Sequence, residues 1–90
     1  MLMRHEDLIA ALREIDGLSD VGNAHSPNFQ FRSRPFLHFH VVAEGTYADV
    51  RFGTGDFDRV WVSTPKEREE LLKRVRKHVT RVERSRKSRR

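Results

Sequence analysis

Hydrophobic and polar residues along this chain repeat with two different periods, and each period predicts one kind of element. Near both ends, apolar side chains recur every three or four residues, which is typical of helices with one apolar face. Between the ends, four short segments alternate apolar and polar residues, which is typical of strands with one buried face. The pattern predicts two helices, at residues 4–16 and 65–84, and four strands between them, at 28–32, 35–42, 46–52 and 59–63. Residues 19–28 are predicted to form a loop, because Asp, Gly, Asn, Ser and Pro are concentrated there.

Both helices carry sequence signals for their ends. Gly17 follows the last apolar position of the first helix and suits the left-handed conformation that ends many helices. Thr64, Pro65 and Glu67 open the second helix as a capping box, with proline at the position where its missing N–H costs nothing. We expect the second helix to end near residues 82–84.

The two central strands, joined by "AEG", determine which side chains share a face. A two-residue turn at 44–45 places apolar side chains opposite apolar ones, and a slip of one residue would destroy this match. In the preceding hairpin, an odd-length turn around Ser33 is expected to keep Phe29 and Phe31 on the apolar face. The predicted pairs are Val41 with Ala48, Phe39 with Val50 and Leu37 with Phe52 on that face, and Val42 with Tyr47, His40 with Asp49 and His38 with Arg51 on the other.

The simplest way to bury these surfaces is to pack both helical stripes on the apolar face of the sheet. This predicts an α+β fold, a two-layer sandwich of a four-stranded antiparallel meander with both helices on one side. The opposite sheet face is left for solvent or for a ligand, and we call it the outer face. Its predicted residues, which form the candidate ligand-binding surface, are Phe36, His38, His40, Tyr47, Asp49, Arg51 and Trp61.

Composition and charge add limits to this picture. The 90 residues predict a single domain at 1–84, and the absence of cysteine excludes a disulfide scaffold and a thiolate metal site. No apolar run is long enough to span a membrane, and no secretory signal is present, so a cytoplasmic protein is expected. The net charge of +5 is unevenly distributed, because residues 73–90 hold ten of the 18 Lys and Arg residues and only one Glu. Residues 85–90 are predicted to form a disordered basic tail.

Two histidines and an aspartate are the clearest candidates for chemistry. His38 and His40 project to the same side of a strand and Asp49 adds an oxygen, which is a ligand set suited to an open zinc or iron site. The alternative is a hydrogen-bonded histidine–aspartate pair with a purely structural role. The same residues could serve as a general acid and base, but no motif supplies a nucleophile. We therefore interpret the chain first as a binding module, with a small metal-dependent or His/Asp-dependent enzyme that uses the same three residues as the alternative.

The partner of such a module stays open at this stage. A small ligand, a protein or a second copy of the chain would each suit an outer face that carries exposed aromatic side chains. Nucleic acid is a further alternative, because a basic helix end attracts phosphates without reading sequence. The residues that would make those contacts are Arg76, Lys77, Arg81, Arg84, Arg86 and Lys87.

The stretch "RPFLHFHVVAEGTYADVRFG", followed by "STPKEREELL", resembles a family of small bacterial proteins labelled luciferase-like domains. That resemblance points to His38, His40 and Asp49 as the residues of interest and does not imply light emission. The helix–meander–helix layout is also similar to that of MmcQ/YjbR-type domains, which implies DNA binding. The tryptophan segment near the C-terminus of that second family is not evident in this chain, so it ranks second.

Overall fold

The computed structural model describes residues 2–23, 26–53 and 55–88, with side chains up to residue 85. It contains two helices and five strands, which confirms the predicted α+β class. Neither helix within these residues is both long and apolar enough to cross a membrane. The elements are α1 (His5–Arg13), β1 (Leu18–Asp20), β2 (Asn28–Phe31), β3 (Arg34–Val42), β4 (Gly45–Val50), β5 (Asp58–Trp61) and α2 (Pro65–Ser88).

The sheet is an antiparallel meander in which every strand pairs with its neighbour in the chain, in the order β1-β2-β3-β4-β5. The prediction of four strands was wrong by one, because the loop expected at 19–28 begins with the end of β1. Leu18 lies opposite Phe31 and is buried. Asp20 then closes the turn into β2, where its carboxylate accepts hydrogen bonds from the backbone N–H groups of Gly22 and Asn28. A three-residue strand is too short to show alternation, so the turn-forming residues dominated the prediction.

Both helices bury their apolar stripes against the same face of the sheet, which confirms the two-layer arrangement. The buried core joins residues of α1, α2 and all the strands except β5, whose continuation supplies Val62. No polar or charged residue among the described ones is buried in it. The core consists of Leu8, Leu12, Leu18, Phe29, Phe31, Phe36, Leu37, Ala48, Val50, Val62, Leu71, Leu72, Val75 and Val79.

The helix ends agree with the sequence signals at one point and differ at two. Gly17 has the expected positive φ, +100°, but α1 ends at Arg13 with Glu14 as its C-cap, so Gly17 lies in the turn before β1 rather than directly after the helix. At the start of α2, the Thr64 hydroxyl accepts a hydrogen bond from the N–H of Glu67, and the Glu67 carboxylate accepts one from the N–H of Thr64, so the capping box is confirmed. α2 extends beyond the expected end and continues to Ser88, so residues 85–88 of the predicted tail are helical.

The register of the β3–β4 hairpin differs from the prediction by two residues. Val42 pairs with Gly45, so the turn is formed by Ala43 and Glu44 rather than by Glu44 and Gly45. A shift of two keeps every side chain on its predicted face, because side chains alternate with period two. It does change the partners, since His38 lies opposite Asp49 rather than Arg51, and His40 opposite Tyr47 rather than Asp49.

The β2–β3 hairpin turns at Arg32 and Ser33, which both have positive φ, 57° and 66°. The odd-length turn expected there is replaced by a two-residue turn, and an irregularity beside Gln30 restores the pairing of Phe29 with Leu37. The extra residue that this irregularity adds to β3 is Phe36. Phe36 was predicted on the outer face, but it is only 3% exposed and packs beneath α2. The bulge turned its side chain to the apolar side, as bulges do.

His78 of α2 lies inside an aromatic cluster and makes the fold sensitive to acid. Its ring stacks on Phe36 at 5.7 Å and meets Phe31 and Phe52 edge to face. Burial lowers the pKa of His78 below 6.5, and the nearby Arg81 lowers it further. The folded state therefore favours the neutral ring, whereas the unfolded chain takes up a proton as the pH falls below about 6.5.

We accordingly expect the free energy of unfolding to fall as the pH is lowered from 7 through the folded-state pKa. Replacing His78 by glutamine should make this dependence shallower; the part that remains comes from His5, whose pKa is also lowered by burial. Urea unfolding of both proteins at pH 7, 6 and 5 measures the difference. If the free energy of unfolding of His78→Gln depends on pH as steeply as that of the wild type, the His78 ring is not the source of the acid sensitivity.

Candidate functional site

The outer face brings His38, His40 and Asp49 together at the centre of the sheet. The two histidines are two residues apart on β3 and therefore point the same way, and Asp49 of β4 lies directly opposite His38. Their side chains are partly exposed, by 32%, 41% and 23% for His38, His40 and Asp49. The three groups are thus accessible from solvent while the strands beneath them are held by the core.

The distances between these groups are short. Asp49 Oδ2 lies 3.4 Å from His38 Nε2 and 3.2 Å from His40 Nε2. Each of the three residues offers one ligand atom to a set in which all atoms lie within 4.8 Å of one another. His40 Nε2 is itself buried and, despite its distance to Asp49, makes no hydrogen bond with any described residue. The His40–Asp49 contact is therefore at ion-pair distance without a hydrogen bond, which fits a structural pair and a pair of metal ligands alike.

A continuous row of aromatic rings crosses the outer face through the two histidines. His38 and His40 meet edge to face at 4.7 Å, and His40 stacks on Tyr47 at 5.0 Å. Trp61 contacts Tyr47 at one end of the row, and Phe57 contacts His38 at the other. The imidazoles are therefore fixed from both sides, which limits their rotation.

Two arginines lie over rings of this row, one over Phe57 at its end and one over Tyr47, next to Trp61. The Arg51 guanidinium lies 4.6 Å from the centre of the Phe57 ring, and that of Arg59 lies 4.1 Å from the centre of Tyr47. Arg59 also donates a hydrogen bond to the Tyr47 hydroxyl at 3.3 Å. Positive charge on both sides of the histidines makes the outer face attractive to anions even though Asp49 lies at its centre.

Six of the seven residues predicted for this surface lie on it, and Phe36 is the exception. Sequence reasoning missed Phe57, because it follows the glycine-rich stretch after β4 and belongs to no alternating segment. An aromatic residue one position before β5, beside two aspartates, was the only available signal. The six that the structure brings together are His38, His40, Tyr47, Asp49, Arg51 and Trp61.

The basic residues predicted to contact nucleic acid lie in the C-terminal half of α2. Arg76, Lys77, Arg81 and Arg84 line one groove on its solvent-exposed side, together with Thr80. The side chains of Arg86 and Lys87 lie outside the described residues. Nucleic-acid binding by this surface stays a prediction.

Comparisons with protein families, with curated proteins and with solved structures find no match for this chain. The resemblances to luciferase-like and MmcQ/YjbR-type domains therefore stay predictions. What the site does has to be argued from its own geometry.

Proposed function

We propose that the outer face is a metal-dependent binding surface, in which His38, His40 and Asp49 hold one divalent transition-metal ion. The observation that carries this proposal is the convergence of two imidazole nitrogens and a carboxylate oxygen within 4.8 Å on an exposed sheet face. A buried imidazole nitrogen without a hydrogen bond is costly unless something satisfies it. A metal ion at this point would satisfy His40 Nε2.

The spacing of the donors favours zinc. A tetrahedral zinc ion with bonds of about 2.0–2.1 Å has its ligand atoms about 3.3–3.4 Å apart. The two distances from Asp49 Oδ2, 3.2 and 3.4 Å, are close to that value. Two histidines and a carboxylate also form the ligand set of many iron(II) sites, so iron is the ion to compare with zinc.

Three protein ligands leave at least one coordination position open, and that position faces solvent. Open positions are a feature of sites that bind a further ligand, whereas purely structural zinc sites are closed by four protein ligands. Arg51 over Phe57 and Arg59 over Tyr47 favour an anionic ligand there. We therefore assign the site to the binding of an anionic ligand at the metal.

The proposal predicts that metal-free protein binds one zinc ion per chain, saturably. Replacing His40 by alanine or Asp49 by asparagine should weaken binding by about 100-fold or more, since even loss of an outer-shell partner costs 10–100-fold. Isothermal titration with zinc measures the affinity, and the visible spectrum of the cobalt form reports the coordination number. Iron(II) is titrated in parallel under anaerobic conditions.

Asp58→Asn is the matched control, because Asp58 is exposed on the neighbouring strand and outside the ligand set. It should bind zinc as the wild type does. Two results would overturn the proposal: no saturable binding by the wild type, or binding that His40→Ala and Asp49→Asn leave intact. In the first case His38, His40 and Asp49 are a structural cluster, and their substitution would change only the stability.

A further inference from the structure

A second basic site lies between the β2–β3 turn, the residues that follow β4 and the C-terminal half of α2, and it shares Arg51 with the edge of the outer face. It is an open cavity of about 570 Å³, a size suited to a small molecule. Phe36, Phe52 and His78 line it, and three arginines surround it: Arg32, Arg34 and Arg51. Among the described residues that line the cavity there is no carboxylate.

The three arginines lack counter-charges. The ion pairs formed among the described residues involve Arg4, Arg13 and the two outer-face histidines, and none involves an arginine of the cavity. Arg51 Nε is buried and makes no hydrogen bond with the described residues. A fourth guanidinium, that of Arg74, lies 4.6 Å from the centre of the Phe52 ring. Like charges that converge on a cavity repel one another and raise its potential for anions.

The backbone under one of these arginines is strained. Arg32 and Ser33 form the two-residue turn with φ values of 57° and 66°, a conformation for which Asn-Gly is the favoured sequence. Side chains other than Gly, Asn and Asp rarely adopt it. The turn itself gives no reason for arginine at this position, whereas the cavity beside it does.

We infer that this cavity binds a small phosphate monoester that carries an apolar or aromatic group. Guanidinium groups pair with phosphate oxygens through two parallel hydrogen bonds, so Arg32, Arg34 and Arg51 supply the phosphate end. The rings of Phe36 and Phe52 supply the apolar end. This site shares Arg51 with the outer face but contains none of the three residues proposed to hold the metal ion.

The test uses metal-free protein with phenyl phosphate, inorganic phosphate and phenol as probes, measured by isothermal titration and by amide chemical shifts. Phenyl phosphate should bind saturably and more tightly than inorganic phosphate, and phenol should not bind. Replacing Arg32 and Arg34 by glutamine should weaken the binding of phenyl phosphate by about tenfold or more, since charge-assisted hydrogen bonds are lost. The double variant Lys73→Gln and Arg76→Gln removes the same charge from α2 on the side next to Met3, outside the cavity lining, and should change the affinity less than about twofold.

A second variant separates binding from folding. Arg32→Asn with Ser33→Gly gives the turn its favoured sequence, so it should raise the melting temperature by roughly 4 °C or more while weakening phenyl phosphate binding. The inference is overturned if phenyl phosphate shows no saturable binding, or if the two glutamine double variants lose affinity equally. Asp49→Asn should bind phenyl phosphate normally, so failure of the metal proposal and failure of this one are distinguishable.

Discussion

Replacing Gly45 by alanine is expected to lower the free energy of unfolding by about 2–4 kcal/mol, because alanine would be strained in the backbone conformation of this residue and its methyl group would clash with a neighbour. Gly45 has φ +142°, a conformation that residues with a Cβ rarely adopt. A Cβ built there would clash with Ser63 Oγ. Ser63 Oγ cannot simply move away, since it accepts a hydrogen bond from the N–H of Thr46 and donates one to its carbonyl.

Gly53→Ala is the matched control for this substitution. Gly53 follows β4, and a Cβ added there meets nothing within 4 Å. In urea unfolding, the free energy of unfolding should therefore fall strongly for Gly45→Ala and change by no more than about 0.5 kcal/mol for Gly53→Ala. Equal losses would mean that Gly45 does not have the strained conformation or the contact with Ser63 described above.

Arg68→Gln is expected to lower the free energy of unfolding by about 2–4 kcal/mol, because this one guanidinium donates hydrogen bonds to three carbonyl groups from two distant parts of the chain. Arg68 donates hydrogen bonds to the carbonyl oxygens of Val62 and Ser63, which precede α2, and to that of Met3 near the N-terminus. Glutamine is too short to reach all three. The loss should be visible in urea unfolding, with the exposed Arg76→Gln as a control that keeps the same change of charge.

The same variant should change the titration of His5. Burial lowers the pKa of His5 and the charge of Arg68 lowers it further, while Glu6 acts in the opposite direction. Removing the guanidinium should therefore raise the pKa of His5, as measured from its ring proton shifts in NMR spectra. If that pKa does not move, the charge of Arg68 does not act on this ring in solution.

Much of the fold follows from local sequence signals. The capping box at Thr64 and Glu67 involves backbone groups within one turn, so residue types alone predict it. The faces of β3 and β4 also follow from alternation, which is why His38 and His40 lie on the outer face as expected. These features depend on residues close together in the chain.

The parts that were missed depend on contacts that the local pattern does not contain. The turn between β3 and β4 shifted by two residues because Gly45 is needed where the backbone passes close to Ser63, 18 residues away in sequence. Phe36 turned inward because a bulge beside Gln30 added a residue to β3. The alternation of apolar and polar residues predicts the face on which a side chain lies only where the strands pair without bulges. His38, His40 and Asp49 were therefore placed on one face correctly, although their partners across the hairpin were not.

The order of the strands also affects how quickly the chain can reach its native state. Each strand pairs with the next one along the chain, so forming the sheet closes only short loops and the sheet alone gives a low contact order. The hydrogen bond from Arg68 to Met3 instead joins residues 65 positions apart. Docking of α1 on α2 closes the longest loop in the molecule and has the largest entropic cost. That docking, rather than growth of the sheet, is the step expected to limit the folding rate.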